Sequence, residues 1–210
     1  MLSCWGRTIN ESWENAMRSF LSAHTLSIYE GRETAIVHNM LVHIEDPTPN
    51  TEPSDLCLWT EVLKEQYIRA VDYPGASLEI NRLFIPFEYG KNQYDLLLHT
   101  LSNRVTDRPV YATLNNPMLD LAPNRPLPCL TSIEFQKTQR MLDIKAFYSV
   151  LNLYTHGLLD MNQIAYMHTK ICRQLSCAKG SLTLYISHSV MNAVDCLICR
   201  EVIMRDVSDQ

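Results

Sequence analysis

Between residues 12 and 26 the apolar positions Trp13, Met17, Phe20 and Leu21 recur at spacings of three, four and seven, which predicts an amphipathic opening helix. Residues 34–44 are rich in β-branched side chains and read as a strand or strand pair. They end at the acidic, proline-rich segment Glu45-Asp-Pro-Thr-Pro-Asn-Thr-Glu-Pro53, the clearest loop of the chain. Ser54 and Asp55 suit a helix cap, and a helix to about residue 71 would bury Leu56, Trp59, Leu63 and Tyr67 on one side. A mixed segment follows Tyr73-Pro-Gly75. The pattern then predicts a helix over 91–102 and strands over 110–114, 129–135 and 144–153. A helix over 162–175 turns Ile164, Met167 and Ile171 inward, and 182–186 reads as a buried strand. This order of strands and helices predicts a single α/β (α+β) domain over residues 1–210.

Composition narrows the class. A chain of 210 residues is long enough to bury a large core in one domain. Its net charge of −5 argues against a broad nucleic-acid surface and leaves room for a local basic pocket that takes a phosphorylated small molecule. No apolar run reaches the roughly 20 residues that cross a bilayer, and Arg7, Glu11, Glu14 and Arg18 interrupt the region where a signal peptide would be apolar, so a cytoplasmic protein without membrane partners is expected. Seven cysteines without a regular framework suit reduced thiols. The pair Cys196-Leu-Ile-Cys199, with Cys172 and Cys177, raises a zinc reading, but its apolar surroundings turn it toward the core, and no metal is expected. The six glycines are too scattered to build a Walker loop or a dinucleotide fingerprint. Any phosphate must therefore meet side chains or a bare helix terminus, which directs attention to the arginines.

Cys129 is the thiol that stands out. In Asn124-Arg-Pro-Leu-Pro-Cys-Leu-Thr-Ser132 two prolines fix φ near −65° and hold the residues before them extended, so the thiol is presented at the start of a strand in a defined place. Such a thiol suits a nucleophile; it equally suits a small core side chain. A serine hydrolase built on Ser187 and His188 gets little support, because neighbours on a strand point to opposite faces.

The order of several segments resembles the thymidylate synthase and pyrimidine hydroxymethylase superfamily. Ala35-Ile-Val-His-Asn-Met40 is similar to its early strand, Tyr89-Gly-Lys-Asn-Gln-Tyr94 to its Tyr-Gly segment, and Thr106-Asp-Arg-Pro-Val-Tyr-Ala-Thr-Leu-Asn115 to its Ser-Arg-Arg strand. Leu127-Pro-Cys129 matches the catalytic loop. Asn162-Gln-Ile-Ala-Tyr166 resembles the helix opened by a base-reading asparagine, and Leu184-Tyr-Ile-Ser-His188 the late His-x-Tyr strand.

The resemblance implies a thymidylate synthase-like fold, a large mixed β-sheet flanked by helices and dimerising through one sheet face. It implies a methylase or hydroxymethylase in which Cys129 adds to C6 of a pyrimidine nucleoside monophosphate and C5 takes a one-carbon unit from 5,10-methylenetetrahydrofolate. Asn162 would then read the base, Tyr185 would bind the sugar, and Tyr89 would contact the substrate. Arg108 would reach the phosphate across a homodimer axis. Apart from the resemblance, Arg125 lies four residues before Cys129 on the same loop and is expected to join Arg108 at the phosphate. Read as residues alone, Asn162 also suits a helix cap, Tyr185 a core position, Arg108 a strand edge and Arg125 a solvated loop. Where the family carries Arg-Ser-x-Asp after the nucleophile strand, this chain reads Val150-Leu-Asn-Leu153. The alternative is therefore a non-catalytic homologue that binds a nucleotide or a protein.

Overall fold

The computed structural model of the chain describes residues 1–29, 31–50, 61–72, 77–87, 90–103, 108–116, 120 and 127–208. A short strand β1 (Leu2–Gly6) turns directly into helix α1 (Ile9–Ala23). Gly6 is required there, since a Cβ would stand 2.5 Å from the backbone nitrogen of Ser12. Thr8 caps α1 by accepting the Glu11 N–H at 3.3 Å, and the Glu11 carboxylate accepts the Arg7 N–H at 2.9 Å. This is a capping box shifted back by one residue, and it starts the helix three residues before Ser12. Trp13, Met17 and Phe20 are fully buried, each side chain contributing about 1.5–3 kcal/mol or more of burial. The predicted helix ran to Leu26; the chain instead leaves it at His24 and forms strand β2 (Thr25–Tyr29).

Strand β3 (Arg32–Ile44) is the longest of the first three strands. Helix α2 (Glu61–Ile68), the single-turn helix α3 (Leu78–Asn81) with its 3-10 extension Arg82–Phe84, and helix α4 (Gln93–Asn103) lead to strand β4 (Val110–Thr113). The expected helix cap at Ser54 and Asp55, with Leu56 and Trp59, lies outside the described residues. Strands β5 (Leu130–Lys137) and β6 (Met141–Asn152) are followed by a π-type turn over Leu153–Gly157, helix α5 (Leu158–Leu175), strand β7 (Ala178–Asn192) and helix α6 (Ala193–Ser208).

The strands form one mixed seven-stranded sheet in the order β1-β3-β7-β6-β5-β4, with β2 also paired to β3. β7 pairs β3 antiparallel from Thr34↔Asn192 to Ile44↔Leu182, so β1 and β2 share the other flank of β3. β6 and β7 are parallel and joined through α5, a β-α-β crossover. Along β6 the burial alternates: Leu142, Ile144, Ala146 and Tyr148 are buried under the helical layer, while Asp143, Lys145 and Phe147 are half-buried on the other face. α5 packs on β6 and β7 and against α1, α2 and α4. Trp13 Nε1–H donates to the Leu153 carbonyl at 2.8 Å, fastening α1 to the turn that opens α5.

The opposite face carries rows of paired side chains. Trp5, His43, Thr183, Lys145, Glu134 and Tyr111 follow one another across it. Lys145 meets Glu134 at 2.8 Å, and Tyr111 donates to the same carboxylate at 2.8 Å. One row along, Phe147 and Tyr185 stack with ring centroids 5.1 Å apart. No helix among the described residues is long and apolar enough to cross a membrane.

Candidate functional site

In open α/β sheets the ends of parallel strands and the helix that connects them form a natural crevice. Here a cavity of about 1030 Å³ opens at the carboxyl ends of β6 and β7. Ser149 to Asn152 of β6 and His188 and Val190 of β7 form one wall; His156 and Asp160, from the turn and first helical turn of the crossover, form another. Tyr67, Ser77, Leu78 and Glu79 close it from the α2 and α3 side, and Tyr29, Leu127 and Cys129 complete the rim.

Cys129 is exposed and lies immediately before β5, as its proline-framed approach suggested. Ser149 holds its backbone: the Ser149 N–H and hydroxyl donate to the Cys129 carbonyl at 2.8 and 3.2 Å. On the other side its own N–H donates to Glu79 Oε1 across a long 3.4 Å. Between Leu130 and Ser132 the β5–β6 register slips by one residue, a bulge of the kind that re-aims side chains next to functional sites.

Asp160 is the residue that sequence reasoning missed. Its carboxyl lines the cavity, accepts the Tyr67 hydroxyl at 2.5 Å, and is pushed up to about 7, chiefly by burial, against the lowering effect of that hydrogen bond. Tyr67 is driven far above its ordinary range by the same burial and by the neighbouring carboxylate, so it stays a donor. His156 is lowered by burial and is therefore poorly suited to hold a positive charge. His188 donates through Nδ1 to the Ser149 carbonyl at 3.2 Å, which in the neutral ring leaves Nε2 as an acceptor, and it meets His38 edge-on at 4.9 Å.

Two of the expected site residues are not among those that line the cavity. Asn162 neither opens nor caps its helix, which begins four residues earlier, and it points away from the cavity: its amide donates to the Leu158 carbonyl at 2.9 Å and its oxygen accepts the Asn50 N–H at 2.7 Å. Residues two apart on a helix lie about 200° around the axis, so a helix that offers Asp160 to the cavity turns Asn162 from it. Tyr185 lies on the outer sheet face against Phe147 and does not line the cavity; strand parity gives that place to His188 and Val190. Tyr89 and Arg125 lie outside the described residues. Arg108 is exposed just before β4. Val110 pairs with Phe135, six residues beyond Cys129, so β4 begins roughly 20 Å along the sheet from the cysteine of its own chain, and Arg108 precedes that point by two residues. No arginine or lysine is among the described residues that line the cavity.

No protein-family model and no curated protein matches this chain.

Cys196 and Cys199 are buried on α6, and among the described residues no group of three or more histidine, cysteine, aspartate or glutamate side chains is placed to hold a metal ion.

Proposed function

We propose that the chain is a diverged thymidylate synthase-like one-carbon transferase, a methylase or hydroxymethylase acting at C5 of a pyrimidine nucleoside monophosphate with Cys129 as nucleophile. The observation that carries this reading is the placement of Cys129 and Asp160 in one cavity at the ends of two parallel strands. The thiolate adds to C6, and the electron pair displaced from the C5–C6 double bond makes C5 nucleophilic. Asp160 takes the base-reading part assigned above to Asn162. A carboxyl that ionises near neutrality can both donate and accept at the base edge, while Tyr67 fixes its other oxygen. Glu79, hydrogen-bonded to the cysteine backbone, is the nearest further carboxylate to move a proton.

The cavity is as large as the upper end of small-molecule sites, roughly 300–1000 Å³, and its Leu78, Leu127 and Val190 side chains offer an apolar surface to a flat ring beside the nucleotide. That suits 5,10-methylenetetrahydrofolate, which when bound supplies the one-carbon unit. The phosphate is met by Arg108 of a second copy in a homodimer. The lack of lysine and arginine among the described lining residues favours a second reading, a homologue that binds without catalysing.

One experiment separates them. With uridine and cytidine monophosphates deuterated at C5, in ribo and deoxy forms and with or without the folate, at least one nucleotide exchanges its label with solvent, and Cys129→Ala abolishes exchange while keeping binding. Binding without exchange in the unaltered chain establishes the second reading. Neither binding nor exchange overturns both.

A further inference from the structure

Cys172 and Cys177 stand outside the cavity, on either side of the turn that ends α5. On a continuing helix, residues five apart lie about 140° around the axis and 7.5 Å along it, too far apart to meet. The chain does not continue. Ser176 takes a left-handed backbone with φ of 52°, its N–H donates to the Arg173 carbonyl at 3.4 Å, and the Cys177 N–H reaches back to the Cys172 carbonyl at 3.1 Å. This is the Schellman closure, in which the first and sixth residues bring their side chains together.

Both of those positions are cysteine. With a Cα-to-oxygen reach of about 2.4 Å and an N–Cα bond of about 1.46 Å, the backbone hydrogen bond keeps the two Cα atoms within about 7 Å, the outer limit for a disulfide. Cys172 is buried, its thiol 3.6 Å from the Ala178 carbonyl, and Cys177 is half-buried. Burial pushes Cys172 up to about 12, and the neighbouring Cys177 thiol, close enough to act on it, adds to the rise.

The geometry points to a disulfide-forming modification site, Cys172–Cys177, that closes on exchange with an oxidised low-molecular-weight disulfide such as glutathione disulfide. The Cys177 thiolate attacks one sulfur of that disulfide and expels the first glutathione thiolate. Cys172, after giving up its proton, attacks the Cys177 sulfur of the mixed disulfide and expels the second. The protein loses two hydrogens and the small disulfide gains them. The high proton affinity of Cys172 slows the second step, and its fixed place beside Cys177 offsets this by making the step intramolecular. The bridge would fasten the end of α5 to the start of β7.

The test uses the full chain with excess glutathione disulfide at mild alkaline pH, quenched in acid and digested with trypsin without reduction. Cleavage after Lys170, Arg173 and Lys179 separates 171–173 from 174–179, so the two peptides travel together only when bridged. The expected result is the linked pair, absent in Cys177→Ser, whose Cys172 stays unmodified. Lasting glutathione on Cys177 with Cys172 still open to alkylation after unfolding overturns the proposal. So does a pair of unlinked, unmodified peptides after prolonged exposure.

Discussion

Asp160 and His168 lie about two turns apart on α5, and burial pushes them in opposite directions, Asp160 up to about 7 and His168 down to about 4. Between roughly pH 4 and 7 the folded chain keeps a proton on Asp160 that the unfolded chain releases, so this group makes stability fall as pH rises. Between roughly pH 4 and 6.5 the unfolded chain keeps a proton on His168 that the folded chain rejects, and stability rises. The two slopes oppose each other. Asp160→Asn removes the first alone, so urea denaturation from pH 4.5 to 6.5 should show the variant gaining on the unaltered chain by up to about 1.4 kcal/mol per pH unit. A difference that stays flat contradicts the protonated, buried carboxyl. The same residues show how far the site was legible. Cys129 could be found because prolines dictate backbone geometry locally. Asp160 could not be chosen over Asn162 without the helix phase, which is set by where α5 begins; the one available signal was a lone carboxylate in the apolar run Leu158-Leu159-Asp160-Met161. Tyr185 was misplaced for a similar reason, since a side chain's face depends on the strand register and not on its identity.

Gly180 sets that register where β6 and β7 first meet. The pairing slips by one residue between Leu142 and Ile144, and Asp143 Oδ1 accepts both the N–H and the hydroxyl of Ser181, at 2.7 and 3.0 Å. A Cβ at residue 180 would lie 2.2 Å from Asp143 Oδ1 and 2.8 Å from the Leu142 carbonyl. Gly180→Ala should therefore cost about 1–3 kcal/mol, read from the denaturation midpoint. Stability equal to the unaltered chain would mean that the slip relaxes freely. Long apolar elements such as β3, β6 and α5 were legible because their burial repeats many times. β1 and β2 were not: each has five residues, and β2 keeps Leu26 and Ile28 exposed, so Leu26 only seemed to prolong the helical spacing of α1. α6 was not drawn from the pattern, although the apolar surroundings of Cys196 and Cys199 pointed both thiols to the core, where they lie.

Across the whole molecule, Arg108 and the cavity lie at opposite ends of β5, and the half-buried sheet face carries the Phe147–Tyr185 stack. The homodimer proposed above requires a twofold pairing through that face that brings Arg108 to the other copy's cavity. Sedimentation at micromolar concentration should give the mass of two chains, Tyr185→Asp should give one, and Arg108→Ala should keep the dimer while weakening nucleoside monophosphate binding about tenfold or more, with nucleoside binding unchanged. A monomer, or equal losses for both ligands, removes Arg108 from the phosphate. The flanks of β3 bear on how such a chain is made. β1, α1 and β2 lie within the first 44 residues and can gather on β3 as soon as they emerge, but the partner for its other flank, β7, begins at Ala178. At roughly 5–20 residues per second, a ribosome would leave that flank bare for several seconds to half a minute. During that interval the growing chain presents an unpaired β-edge to its neighbours, which makes the nascent polypeptide a stronger candidate for chaperone protection than the finished fold.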